Sequence, residues 1–190
     1  NDTGEIVDNC QKRPQRLFTE RELTVDECAS YLRRAVETLR AKRDDVRVII
    51  TVSPIRYAKY GFHGSQLSKA TLLLAADKLV KEYASERASK EKACEVAYFP
   101  AYEIVNDELR DYRFYREDML HPSDQAVKYI RQRFADTFFS DNTREFLKKW
   151  QPIKAALCHR PFNPDSEEYK AFLAKAKEDE RRLVEEFDGK

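Results

Sequence analysis

Apolar residues recur at Cys28, Leu32, Ala35, Val36 and Leu39, the spacing of a helix with one buried stripe. Just ahead of them, Thr24-Val-Asp-Glu27 has the form of a capping box, with Thr24 at the N-cap and Glu27 reaching back to it. Leu23 and Cys28 stand where a hydrophobic staple would put them. The stripe fades between Lys42 and Asp45. Val46 to Val52 is then almost continuously apolar and β-branched, which predicts a strand buried on both faces and ended by Pro54. A loop holding Gly61 and Gly64 follows. Next comes a helix expected from about Gln66 to Tyr83, with Leu67, Ala70, Leu74 and Leu79 on one side. Cys94 to Pro100 reads as a second strand. Helix, strand, helix, strand is the rhythm of a doubly wound α/β fold with a parallel sheet.

The flanking segments are less regular. Residues 1–20 carry little beyond Ile6 and Val7, and Tyr102 to Asp118 is aromatic and charged without a clear period. His121-Pro-Ser123 leads into a helix marked by Ala126, Val127, Ile130, Phe134 and Phe138. From Asn142 to Lys190 the pattern is helical and amphipathic, broken by Pro161-Phe-Asn-Pro164. Its last helix places Tyr169, Phe172, Leu173, Ala176, Leu183 and Phe187 on one face. The expected organisation is an α/β domain over 1–141 with a helical extension, 142–190, packed on it.

Composition narrows the function classes. The 190 residues include 35 basic and 34 acidic side chains, a formal net charge of +1. That balance argues against a dedicated nucleic-acid or membrane-surface binder. Four glycines, Gly4, Gly61, Gly64 and Gly189, cannot make a G-x-G-x-x-G turn or a Walker-type phosphate loop. No apolar run approaches the roughly 18 residues that span a bilayer. Cys10, Cys28, Cys94 and Cys158 are scattered, with no C-x-x-C, so zinc ribbons and dithiol redox motifs are unsupported. Four free thiols in a reducing compartment are expected, which favours the cytoplasm. The chain begins at Asn1 and its single methionine is Met119, so the natural start is expected upstream.

Three histidines carry the candidate chemistry. His121 follows an acid at three residues, in Asp118-Met-Leu-His121. On a tight loop that carboxylate can reach Nδ1, fix the tautomer and stabilise the imidazolium formed when Nε2 takes a proton. The competing reading is a helix N-terminus in which Asp118 or Ser123 caps and His121 is merely polar. His63 lies between two glycines beyond a strand end. Ligands of open α/β sheets bind at that end, which makes Ser53, Arg56, His63 and Ser65 candidate substrate-binding neighbours, against the alternative of an ordinary surface loop. His159 beside Cys158 has no further ligand at metal spacing, so no metal site is expected. Arg110 to Arg116 interleaves cations with rings that could stack on a sugar or base, although the neighbouring acids suit a loop of salt bridges and packed rings equally well.

Thr51-Val-Ser-Pro-Ile-Arg56, Gln66-Leu-Ser-Lys-Ala-Thr-Leu-Leu-Leu-Ala75 and the run from Tyr98 to Tyr115 resemble the GSCFA domain family of bacteria. Glu117-Asp-Met-Leu-His-Pro-Ser123 extends the likeness, and Thr3 to Cys10 fits it. That family resembles a branch of the SGNH (GDSL-type) hydrolases, which implies a three-layer α/β/α fold. It also implies a D-x-x-H block supplying a catalytic acid and base, here Asp118 and His121. The family is named for an N-terminal G-S-C-F-A string whose serine should be the nucleophile, and no such string occurs here. The expectation is therefore an α/β domain incomplete at its N-terminus, holding the Asp–His half of a serine esterase and inactive alone. An open strand edge should accompany it. The implied substrate is a small ester or O-acylated carbohydrate, with no cofactor, no nucleic acid and no membrane. A non-catalytic module binding a carbohydrate or protein through Tyr102–Arg116 is the alternative. An internal nucleophile, Ser53 or Ser65, is a further one, although Pro54 removes the next backbone N–H after Ser53.

Overall fold

The computed structural model describes residues 1–7, 10, 12–89 and 95–188. Asp8, Asn9, Cys94, Gly189 and Lys190 lie outside them. The chain divides into two compact units, Asn1–Ala126 and Val127–Lys190.

In the first unit, Val25–Lys42 forms helix α1, Arg47–Thr51 strand β1, Gly61–Ser89 helix α2 and Glu95–Phe99 strand β2. Both halves of the capping box are made. Glu27 N–H donates to Thr24 Oγ1 at 3.2 Å, and Thr24 N–H donates to the Glu27 carboxylate at 2.9 Å. Amides that the first helical turn cannot pair are thus satisfied at the residues the sequence marks. The staple is not closed in the same way: Cys28 is buried, but Leu23 is exposed. The strands pair in parallel, Val48 opposite Val96 and Ile50 opposite Tyr98, with α2 as the crossover that parallel strands require. Val36, Leu79, Tyr83 and Val96 form the buried centre, surrounded by Leu32, Val46, Val48, Ile50 and Val80. A second cluster, Cys28, Ala29 and Ala75, closes α1 on α2. The result is an α/β unit, mostly helical, around a small two-stranded parallel sheet.

Three expectations are corrected here. β1 is not buried on both faces: Val48 and Ile50 are half-buried, whereas Arg47, Ile49 and Thr51 are exposed. The helices named in its core pack on the Val48–Ile50 face, and an apolar run cannot announce that only one face is covered. Helix α2 begins at Gly61 instead of Gln66, directly behind a 3-10 turn, Ala58–Tyr60. Gly61 sits at φ +69°, where a side chain would be strained, and this makes the sharp join. The expected apolar side of α2 holds only at Leu79. Leu67, Ala70 and Leu74 are exposed, while Ser65, Lys69, Ala75, Ala76, Leu79 and Tyr83 are buried. Small and polar residues let this helix close on its neighbours, so its buried side is not its most hydrophobic one.

The stretch without a period is ordered. Ala101–Glu103 opens one helical turn, α3, which widens into a π-helical segment, Ile104–Leu109. Arg110 closes it in the left-handed region at φ 50°, its N–H donating to Val105 O at 3.0 Å. A 3-10 turn, Tyr112–Phe114, follows. Ile104, Val105 and Phe114 are buried at spacings that neither an α-helix nor a strand would produce.

Helix α4, Asp124–Phe138, crosses from the first unit into the second. The second unit also holds α5, Asp141–Leu157, and α6, Glu167–Phe187, packed on one another. Ser140 and Ser166 cap these two helices by accepting the N–H of Thr143 and Tyr169. Phe146 meets Phe187 at 5.3 Å between ring centroids, and Lys149 pairs with Glu186 at 2.5 Å. Ala176 and Leu183 are buried on the expected face of α6, but Phe172 is exposed. Cys10, Cys28 and Cys158 are free thiols. Among the described residues no helix is long and apolar enough to cross a membrane.

Candidate functional site

Parallel strands bring their carboxyl ends to one edge of the sheet, the edge at which open α/β sheets take their ligands. The segments after β1 and β2 both start there. Arg56 ties the first of them to the turn that carries Asp118. Its backbone N–H donates to Leu120 O at 3.1 Å, and its Nη1 donates to Met119 O at 3.2 Å. The guanidinium lies 4.0 Å from the centre of the Tyr115 ring, close enough for a cation–π contact. Tyr115 forms an isolated antiparallel bridge with Pro122, and Arg116 N–H donates to His121 O at 2.8 Å. His121 is therefore held by its backbone on both sides.

Within that frame Asp118 does two things. Its Oδ1 accepts the N–H of Leu120 at 2.9 Å and of His121 at 3.0 Å, which closes the turn. Its Oδ2 lies 2.6 Å from His121 Nδ1. Met119, at φ 60°, takes the left-handed conformation that lets so short a loop fold back. The N–H of His121, then that of Leu120, then the imidazole hold the Asp118 carboxyl down at about 2, so it is ionised across the physiological range. An ionised Asp118 selects the tautomer with hydrogen on Nδ1 and leaves Nε2 as an acceptor. The two side chains are 43% and 50% exposed, so an incoming hydroxyl can reach the ring. The pair can accept a proton at Nε2 and return it.

The other sequence candidates are held by other contacts. Ser53 follows β1, and its Oγ accepts the N–H of Ile55 at 3.3 Å. Ser65 is buried in the first turns of α2 and accepts the N–H of Tyr57 at 3.1 Å. Both hydroxyls thus stabilise the loop that carries Arg56, and among the described residues no hydrogen bond joins either to His121. His63 is exposed on the first turn of α2, not in a loop. His159 belongs to the second unit, where its ring meets Tyr169 and Phe172. Among the described residues no group of three or more side chains could hold a metal ion.

Sequence reasoning missed Lys69. It is only 9% exposed, and its Nζ donates to Ser53 O at 2.6 Å, which anchors the loop after β1 from below. Burial pushes its ammonium down from its ordinary range. Ser65 and Lys69 lie four residues apart, one helical turn, and this pairing of polar residues on one side of α2 was the available signal. In the sequence Tyr115 is only one ring of the Arg110–Arg116 run, because its partner Arg56 is remote.

A family model described as GSCFA family matches residues 1–134, and one described as GSCFA domain protein, C-terminal domain, matches residues 150–189. No curated protein and no solved structure matches the chain.

Proposed function

The chain belongs to the GSCFA family, and on that premise we propose that it is part of an SGNH-type serine esterase or acyl-transferring hydrolase. Asp118 and His121 supply the acid–base half of the site. The three-layer α/β/α architecture belongs to the same proposal, with residues 1–141 as the α/β part and 142–190 as a helical extension. The observation that supports it is the 2.6 Å contact between Asp118 Oδ2 and an exposed His121 imidazole at the carboxyl edge of a parallel sheet.

In this reading the nucleophile is the serine of the family's name string, which these 190 residues do not contain. His121 Nε2 takes the proton from that hydroxyl as the serine oxygen attacks the ester carbonyl. The imidazolium formed is stabilised by Asp118. It then gives its proton to the departing alkoxide, leaving an acyl-serine, and the same cycle with water or an acceptor hydroxyl releases the acyl group. Ser53 and Ser65 act as loop supports, and Arg56 holds the turn in register.

Fluorophosphonate labelling tests the assignment. The 190-residue chain should take no label, while a longer chain that includes the serine string should be labelled there and lose both label and ester hydrolysis on His121→Ala. Label on Ser53 or Ser65 that disappears with His121→Ala would move the nucleophile into this chain. Undiminished hydrolysis by His121→Ala in the longer chain would overturn the reading altogether.

A further inference from the structure

Beside the Asp118–His121 turn, Arg56, Asn106, Arg110, Asp111, Tyr112 and Tyr115 line a cavity of about 160 Å³. An enclosed cavity of about 150 Å³ holds a ring the size of benzene, so this open one takes part of a single sugar ring, with the remaining substituents lying over its mouth. Its lining combines aromatic rings, an amide, a carboxylate and two guanidinium groups.

The charges in the lining are not matched internally. Asp111 accepts the N–H of Arg113 at 2.9 Å and lies 3.8 Å from that residue's guanidinium. Arg56 spends one donor on Met119 O and otherwise lies among the Phe62, Tyr112 and Tyr115 rings. Among the described residues neither Arg56 nor Arg110 has a carboxylate partner. An arginine offers five N–H donors in a fork that fits a carboxylate, so two such groups on one cavity leave capacity for an external anion.

The backbone points the same way. Arg110 occupies the left-handed region at the end of a π-helical segment. A side-chain-bearing residue held there costs on the order of 1 kcal/mol, and π-helical turns concentrate at functional sites. The strained residue is also one of the two unmatched cations. Tyr112 is two-thirds exposed and offers a ring face for the C–H side of a pyranose, while Asn106 and Asp111 can exchange hydrogen bonds with hydroxyls.

We propose that this cavity is a subsite for an acidic sugar of the hexuronate type, its carboxylate held by Arg110 and Arg56 and its ring laid against Tyr112. The inference deepens the esterase reading and rests on it for the role of the site: the ester to be cleaved would then sit on an acidic saccharide. The binding itself does not depend on the reaction.

The experiment is titration of the 190-residue chain with glucuronate, glucuronamide, glucose and acetate, followed by chemical-shift perturbation or calorimetry. Glucuronate should bind at least tenfold more tightly than each of the other three. Equal binding of glucuronate and its amide overturns the carboxylate contact, and acetate binding as well as glucuronate overturns the sugar. Neither outcome needs a variant that folds. Arg110→Asn keeps a residue tolerant of the left-handed backbone, and it should abolish the preference for glucuronate over glucuronamide; a preserved preference overturns the role of Arg110. His121→Ala should leave that preference intact. Loss of hydrolysis with no sugar preference sinks only the subsite, whereas a sugar preference with hydrolysis indifferent to His121 sinks only the esterase reading.

Discussion

Two carboxylates in this chain are held at about 2 by much the same means, and only one of them belongs to the candidate site. Glu27 receives the N–H of Thr24 at 2.9 Å, the Thr24 hydroxyl at 3.0 Å and Arg21 at 2.6 Å. Asp118 receives the N–H groups of His121 and Leu120 and the imidazole Nδ1. Each accepts N–H groups at the approach to a helix, Glu27 from the first turn of α1 and Asp118 from the loop before α4. The difference lies in what the side-chain partner has left over. The guanidinium of Arg21 stays charged and has no proton to trade. The imidazole of His121 keeps a second nitrogen, exposed and able to accept. A depressed carboxyl pKa is therefore evidence of amides pointed at an oxygen, and the chemistry is read from the far side of the partner.

The comparison breaks if the two acids turn out to be interchangeable in effect. The largest separation is expected in the longer, serine-containing protein. His121→Ala should lower hydrolysis about 10⁴-fold or more, while the melting temperature stays within a degree or two. Asp118→Asn comes next. Its Oδ1 can still accept the two backbone N–H groups, so the turn should survive, but the tautomer is no longer enforced and turnover should fall about 10³- to 10⁴-fold. Thr24→Ala makes the opposite cut: it should cost about 1 kcal/mol, or roughly 2–4 °C in melting temperature, with turnover unchanged. A change in turnover comparable to that of Asp118→Asn would show that the cap communicates with the site.

The smallest effect is in the acid limb of stability. Both carboxyls titrate lower folded than unfolded, so their contribution is complete above about pH 4.5 and is lost as the pH falls toward about 2. Glu27→Gln and Asp118→Asn should each flatten a circular-dichroism unfolding curve in that window. Unchanged curves would mean that the two turns persist in the unfolded chain.

How much of this was legible depends on whether the information was local. The Thr24–Glu27 box and the Asp118–His121 spacing are contacts across three residues, and both are formed as their spacing suggests. The parallel order of the two strands also followed from the alternation of patterns. The buried face of α2 did not, because Ser65 and Lys69 lie inside to hold the loop after β1, while Leu67 and Leu74 lie outside. Hydrophobicity ranks residues by what they would prefer, not by which neighbour the fold provides. Arg56 illustrates the remote case: its partners Met119 and Leu120 are more than sixty positions away, and nothing in either segment names the other.

The register of the sheet has a kinetic consequence. Val48 pairs with Val96, forty-eight positions further along. Closing so long a flexible loop costs about 3.4 kcal/mol in chain entropy before the first strand contact returns anything. Once the 29 residues of α2 are helical they form a rod about 44 Å long, and only the runs of chain on either side of it remain to be swung into place. The folding rate of this unit should accordingly be governed by how early the crossover helix forms, and much less by the strands it delivers.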